Sequence, residues 1–230
     1  MNAPITIPAG ERINLSDLSL EEVGDLMEAW GQKRFHAKQI VTWIHQKGVD
    51  RFEEMTNLSK GLRARLAATA HTGVLSAERL ERSEDGTMKF LFRLSDGRTI
   101  ESVFIPEARR NTLCISTQVG CAMGCTFCAT ALVRPVRNLS AGEIVGQVLA
   151  VQRAIPPEVS ISNLVLMGMG EPLRNYENVK KAVGILTCPF GLSFSGRRIT
   201  LSTVGLVPEI ARMGREMPIN LAVSLHAADD

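Results

Sequence analysis

The chain has 230 residues, 45% of them hydrophobic, and a formal net charge of +2. That length supports one sizeable core, with or without a small appendage, and that charge does not by itself mark a nucleic-acid binder. No apolar run reaches the length of a membrane span, residues 1–10 lack the basic and apolar regions of a secretory signal, and five cysteines, an odd number, fit a reducing, cytoplasmic compartment.

Residues 1–13 read as a loose lead-in. Ser19-Leu-Glu-Glu22 then has the form of a capping box, and Leu20, Val23, Met27 and Trp30 recur at helical spacing up to Gly31. A second helix is predicted over Ala37–Gln46, with Ile40, Trp43 and Ile44 inward. A third follows Asn57, with Leu58, Leu62 and Leu66 on one face. Together they make a helical domain over residues 14–70. Between Gly31 and Arg65 it carries Lys33, Arg34, Lys38, Lys47, Arg51, Lys60, Arg63 and Arg65 against Asp50, Glu53 and Glu54. Such a surface can neutralise phosphates, or it can simply be solvated.

Residues 71–110 read as a β-hairpin extension. Thr87–Leu94 and Arg98–Ile105 are the strands, and Ser95-Asp96-Gly97 is the turn. In the second strand Glu101 shares a face with Val103 and Ile105. A carboxylate buried on an apolar face has a raised pKa and suits proton transfer, whereas on an edge strand it points at water.

Residues 111–230 alternate strand and helix. Strands are predicted over Thr112–Thr117, Ser162–Met167, Arg198–Ser202 and Ile219–Leu225. Helices are predicted after the capping box Ser140-Ala-Gly-Glu143, over Tyr176–Leu186 and over Val207–Met213. Repeated βα units imply a parallel sheet, so the fold class is α/β with about four parallel strands. The chemistry-bearing words Cys121–Cys128, Gly168–Glu171, Ser202 and Ser224–His226 each follow a strand, where α/β barrels place their sites.

Three of the five cysteines, Cys121, Cys125 and Cys128, are spaced C-x3-C-x2-C. A structural zinc site takes four ligands, usually as two pairs. No second pair follows; Cys188 stands beside Pro189, and His36, His45, His71 and His226 are scattered. Three thiolates on one loop, facing one point, suit a cubic iron–sulfur cluster with one iron lacking a protein ligand. The plain alternative is three buried thiols. Likewise Gly168-Met-Gly170-Glu171 is either a ligand-approaching turn or an ordinary strand end, Cys114 is either functional or a small core residue, and His226 is either a ligand contact or a surface histidine.

The cysteine spacing, with Phe127 before the last Cys, resembles the radical S-adenosylmethionine (SAM) superfamily. Cys114-Ile-Ser-Thr-Gln-Val-Gly-Cys121, Arg137-Asn-Leu139, Met167-Gly-Met-Gly-Glu-Pro-Leu173, Thr200-Leu-Ser-Thr203 and Ser224-Leu-His226, in that order, resemble its RlmN/Cfr family of RNA methyltransferases. The resemblance implies a partial (β/α) barrel, a 4Fe–4S cluster on Cys121, Cys125 and Cys128, and SAM on Gly170, Glu171, Ser202, Ser224, Leu225 and His226. It implies Glu101 as proton acceptor, and Cys114 as the thiol that resolves a methyl-cysteine adduct with disulfide formation. It also implies C2 methylation of adenine in 23S rRNA and tRNA, an RNA-binding N-terminal domain around Phe35–Ile40, and an electron donor such as a flavodoxin or ferredoxin. Cfr-type C8 methylation is the sister reading. A non-catalytic iron–sulfur RNA-binding module is the reading from another class, and a bare carrier would not need the Gly-Glu-Pro turn and strand-end serines. Two departures stand out. Ala129–Pro135 replaces an expected glycine-rich turn, and in the family the last strands, a SAM-contacting Asn and the methyl-carrying Cys lie beyond the position of Asp230. The chain is therefore expected to act as an N-terminal portion, silent in methylation alone and apolar along Ile219–Leu225.

Overall fold

The computed structural model describes residues 12–134 and 137–225. The helical domain begins with β1 (Ile13–Asn14) and ends with β2 (Ala70–His71), which pair in parallel and close it at its base. Between them lie α1 (Leu20–Ala29), α2 (His36–Val41) and α3 (Lys60–Thr69). The capping box forms as expected: Ser19 Oγ accepts from the Glu22 N–H at 3.2 Å, and the Glu22 carboxylate accepts from the Ser19 N–H at 2.7 Å. The predicted second helix is present, but α2 runs into a π turn over Thr42–Gln46. Val23, Met27, Ile40, Ile44, Leu58, Leu62 and Leu66 are buried together, and Trp30 and Trp43 pack half-buried at the rim.

Among the described residues after the helical domain, seven strands form one sheet. Its strands are β3 (Ser76–Arg82), β4 (Met88–Arg93), β5 (Thr99–Glu107), β6 (Arg110–Cys114), β9 (Asn163–Leu166), β10 (Ile199–Thr203) and β11 (Asn220–Val223). In space they run β11-β10-β9-β6-β5-β4-β3. The parallel strands β6, β9, β10 and β11 number four, as the alternation predicts. The predicted hairpin is β4–β5, and β5 pairs on with β6, so the boundary expected at residue 110 falls between paired strands of a single sheet. The strand β3 is not foreseen. Its sequence Ser-Ala-Glu-Arg-Leu-Glu-Arg lacks an apolar alternation because it is an exposed edge, and its charges protect that edge from further pairing. The minor ribbon β7 (Gln118–Val119) with β8 (Arg137–Asn138) flanks the cysteine loop.

Three helices, α4 (Ala141–Ala154), α5 (Tyr176–Leu186) and α6 (Val207–Glu216), connect the parallel strands. Side chains alternate across the sheet with period 2. Ile100, Ser102, Leu113, Leu164 and Leu201 are buried on the helix-covered face. Glu101, Val103, Cys114, Val165 and Ser202 occupy the opposite, open face and are only partly covered. The apolar run at β9 predicts cover on both faces. Instead, Val165 is half-buried on the open face, and Met167 is exposed where it lines a cavity.

Helix α4 is covered on nearly every side, since the helical domain packs on its outer surface. A Cβ at Gly142 would meet the Asp17 amide at 2.9 Å, and one at Gly146 would meet the Gly73 carbonyl at 2.5 Å. Those two glycines, one turn apart, let the backbone of the helical domain sit directly on the helix. Asp17 fixes the contact by accepting from the Gly142 N–H at 2.6 Å. At the far end of the chain Leu221 and Val223 are exposed on β11. Among the described residues no helix is long and apolar enough to cross a membrane.

His45, in the π turn, is 2% exposed, and its Nδ1 has no partner among the described residues. Burial pushes its pKa down to about 4, from an ordinary value of 6.5. Between those two values the unfolded chain binds a proton that the folded chain refuses, so this contribution to stability is lost as pH falls from 6.5 towards 4. From pH 7 to pH 5 the wild-type protein is expected to lose about 2 kcal/mol more than a His45→Phe variant. Urea unfolding at both pH values measures it; equal losses would contradict the assignment.

Candidate functional site

The site is built where β6 leaves the sheet. Ser116, Thr117 and Gln118 are nearly or fully buried, and apart from Thr117 Oγ1, which has no partner among the described residues, their polar groups are paired from several directions. From α4, Gln147 reaches in with 0% exposure. Its Oε1 accepts from Ser116 N–H (2.8 Å) and Ser102 Oγ (2.7 Å), and its Nε2 donates to the carbonyls of Ser116 (2.9 Å) and Glu143 (3.1 Å). Asn175 Nδ2 donates to the carbonyls of Thr117 (2.8 Å) and Leu139 (2.7 Å). Gln118 donates to Asn138 Oδ1 (2.7 Å) and accepts from the Glu171 N–H (2.8 Å). Ser116 Oγ donates to the Glu101 carbonyl at 2.6 Å and accepts from the Met169 N–H at 2.9 Å. The root of the cysteine loop is thus clamped to β5, to α4 and to the Gly168–Glu171 turn.

The glycines of that turn serve this clamp as well as the cleft. A Cβ at Gly168 would lie 2.7 Å from Ser116 Oγ, and one at Gly170, whose φ is +107°, would lie 2.6 Å from Gln118 Cβ. Their place in the sequence suggests ligand approach; close packing against the loop root requires them regardless.

Beyond the root, Cys121, Cys125 and Cys128 line a cavity of about 330 Å³ together with Gly168, Gly170, Glu171, Ser202 and Ser224. Burial pushes the Cys121 thiol pKa up, and nearby Glu171, Cys125 and Cys128 push it further. The three thiols do not form a single-ion site: among the described residues no three His, Cys, Asp or Glu side chains gather closely enough to hold one metal ion. They face one cavity instead. That arrangement fits a cubic cluster, in which each thiolate takes a different iron, better than it fits zinc. The Arg134 guanidinium steadies the loop by donating to the Cys121 carbonyl at 3.1 Å.

Glu171 is 3% exposed. One carboxylate oxygen accepts from the Leu173 N–H (3.0 Å) and the other from the Val204 N–H (2.9 Å), so the side chain joins the β9 turn to the end of β10. A carboxylate has lone pairs beyond those two bonds, and this one borders the cavity. Ser202 on β10 and Ser224, just past the end of β11, stand with their hydroxyl oxygens 3.4 Å apart. Leu225 is exposed and does not line the cavity, and His226 lies outside the described residues.

Cys114 and Glu101 lie on the open face of the sheet, away from that lining. Cys114 pairs in register with Val103, two residues from Glu101. Burial pushes the Cys114 thiol pKa up. The condition set for Glu101, burial on an apolar face, is not met: its side chain is 46% exposed and lies 3.5 Å from Lys89 Nζ. Gln118, Gln147, Asn175, Thr203 and Val204 belong to the site and are not singled out by the sequence. Gln147 carries a usable signal, as a polar residue among the apolar positions Ile144, Val145 and Val148 of a helix.

Replacing Gln147 by Leu removes the partners of Ser102 Oγ and of both backbone groups of Ser116. Each buried orphan costs about 1–3 kcal/mol, so a loss of roughly 3–5 kcal/mol is expected in urea unfolding. A loss below about 1 kcal/mol would show that the clamp does not hold the loop root.

Two family models match the chain. Residues 13–72 match the ribosomal RNA large subunit methyltransferase N-terminal domain, and residues 115–230 match the radical SAM superfamily. Curated relatives include the dual-specificity RNA methyltransferases RlmN of Geobacter sulfurreducens, 53% identical over 95% of this chain and 59% of that protein, and of Geotalea uraniireducens, 50% identical over 96% and 63%. A solved structure, a radical SAM methyltransferase from Sphaerobacter thermophilus, matches with a TM-score of 0.89 and 45% identity over 95% of this chain and 65% of that one. The chain spans about three fifths of the length of the curated relatives it matches.

Proposed function

The chain belongs to the radical SAM superfamily and carries an RlmN-type N-terminal domain, and from that premise we propose that it works in methylating C2 of adenine in 23S rRNA and tRNA. The observation that carries this reading is the single cavity shared by the three-cysteine loop, Glu171, Ser202 and Ser224, in a chain whose helical domain is of the matching kind and carries its cations between Gly31 and Arg65.

Superfamily members use a 4Fe–4S cluster and SAM, which together supply a one-electron route to activating an unreactive C–H bond. In this reading Cys121, Cys125 and Cys128 hold the cluster as thiolates. The remaining lone pairs of Glu171 accept from the ammonium of the SAM methionine, with Gly170 beside it. Ser202 and Ser224 offer adjacent hydroxyls to the same ligand, and Leu225 and His226 extend that contact. Glu101 accepts a proton from the adenine, and Cys114 supplies the resolving thiol. Electrons come from a small carrier such as a flavodoxin or ferredoxin, in the cytoplasm.

The helical domain is read as the RNA contact. Lys33, Lys38, Lys47, Arg51, Lys60 and Arg65 are exposed and make no ion pair among the described residues, whereas Arg34 is bound to Asp25 and Glu28. Lys47 lies over the Trp43 ring at 3.6 Å and Arg65 over the Trp30 ring at 4.4 Å, which keeps those cations at the surface.

Anaerobic reconstitution tests the cluster. About four irons per chain are expected, with the content lost in Cys125→Ala and kept in Cys114→Ala and Cys188→Ala; full iron in Cys125→Ala would refute the ligand set. Titrating RNA at several salt concentrations tests the helical domain. Neutralising Lys33, Lys47 and Lys60 should weaken binding across RNA sequences and lower the log–log salt slope by about one for each phosphate that is no longer neutralised. An unchanged slope would return the domain to a packing role. With cluster, SAM and reductant supplied to the intact enzyme, mass spectrometry should find 2-methyladenosine in the RNA, and 8-methyladenosine would overturn the C2 assignment.

A further inference from the structure

The open face of the sheet carries a row of alternating charges of which the proposed reaction uses only the first, Glu101. It begins at Glu101 on β5. Lys89 on β4 follows, its Nζ 3.5 Å from Glu101 Oε1 and 3.1 Å from Glu81 Oε2 on β3. Arg79 ends the row at the sheet edge, 2.8 Å from Glu81. Leu91, directly opposite Glu101 in the ladder, lines a small pocket together with these groups.

We propose that Lys89 is a positioning residue for the Glu101 carboxylate, held in turn by Glu81 and Arg79. The inference rests on the reading of Glu101 as proton acceptor. Such a group must be ionised and correctly aimed when its substrate arrives. A salt bridge to an ammonium restricts the rotamers of a carboxylate and so aims it. Burial cannot do the aiming here, because Glu101 is 46% exposed. The other groups facing Glu101 on neighbouring strands are Leu91 on β4 and Cys114 on β6, and neither is a cation. Lys89 reaches Glu101 across the diagonal of the ladder, since Lys89 itself pairs with Val103. Left alone, a lysine with four side-chain torsions would wander. Glu81 removes that freedom from the far side, and Arg79 keeps Glu81 in place.

Ordinary edge protection would also put charges on β3. It requires no particular link between Lys89 and Glu101, and the two accounts separate on that point. Lys89 is expected to titrate above the ordinary lysine range, through its bond to Glu81 and then through the charge of Glu101. Reductive methylation with a 13C label keeps the lysine charge and lets its titration be followed by NMR, with the signal assigned by its loss in Lys89→Arg. Glu101→Gln should lower the Lys89 midpoint by about 0.3 pH units or more, and Glu81→Gln should lower it further. A Lys89 midpoint unmoved in Glu101→Gln would overturn the proposal. In the intact enzyme Lys89→Met should lower kcat about tenfold or more while leaving the KM for RNA in place, and Lys89→Arg should recover most of the loss. A Lys89 midpoint that responds to Glu101 with an unchanged kcat in Lys89→Met would keep the pair but overturn the positioning role, whereas an unchanged kcat in Glu101→Gln would remove the reading of Glu101 as proton acceptor.

Discussion

The constraint on which the site depends is the need to satisfy buried polar groups where a strand leaves its sheet. Past Ile115, whose N–H still donates to the Val165 carbonyl, the chain turns out of the sheet, and the backbone groups of Ser116 are met by a side chain rather than by a neighbouring strand. A dry interior penalises each unpaired group by a kilocalorie or more (about 1–3 kcal/mol). Gln147, Asn175, Gln118 and Ser116 meet that need with side chains drawn from α4, from the segment before α5 and from the loop itself. Because these bonds also reach Glu101, Met169 and Glu171, satisfying the loop root fixes the cysteine loop relative to the turn after β9 and to the open sheet face. Glu171 extends the same logic to β10 by accepting from the Val204 amide. The cavity is a consequence: three strand ends are tied together, and the unclaimed side chains of each point into the space between them.

The helical domain joins this arrangement through α4. Gly142 and Gly146 admit its backbone, while Gln147, next along the same helix, faces the loop root. One helix therefore carries both the seat for the proposed RNA-binding domain and the clamp for the proposed cluster loop. Lys181 to Glu22 at 2.9 Å and Arg153 to Asp50 at 2.6 Å add ion pairs across the same seam. Their partial exposure makes them weak beside the backbone contact. The position of the basic surface relative to the cavity is set mainly by packing.

Much of this is legible in the residues. The capping boxes at Ser19 and Ser140 encode helix starts locally, and the four parallel strands follow from apolar runs alternating with helical periods. The cysteine spacing points to its own loop. What cannot be read depends on partners distant in sequence. The strand β3 carries no apolar face, so only its pairing with β4 defines it. Glycines 168 and 170 read as ligand-approach residues because their contacts with Ser116 and Gln118 join segments about fifty residues apart. Strand alternation puts Glu101 on the correct face, but its exposure and its lysine neighbour arise from register with another strand.

The account stands or falls on where iron binds. The most direct measurement is anomalous diffraction at the iron edge from crystals of the anaerobically reconstituted protein. The account predicts one iron peak cluster in the cavity bounded by Cys121, Cys125 and Cys128, on the side where Glu171, Ser202 and Ser224 stand. Iron ligated by Cys114 or Cys188, or iron bound with the loop root pulled away from Gln147, would contradict it.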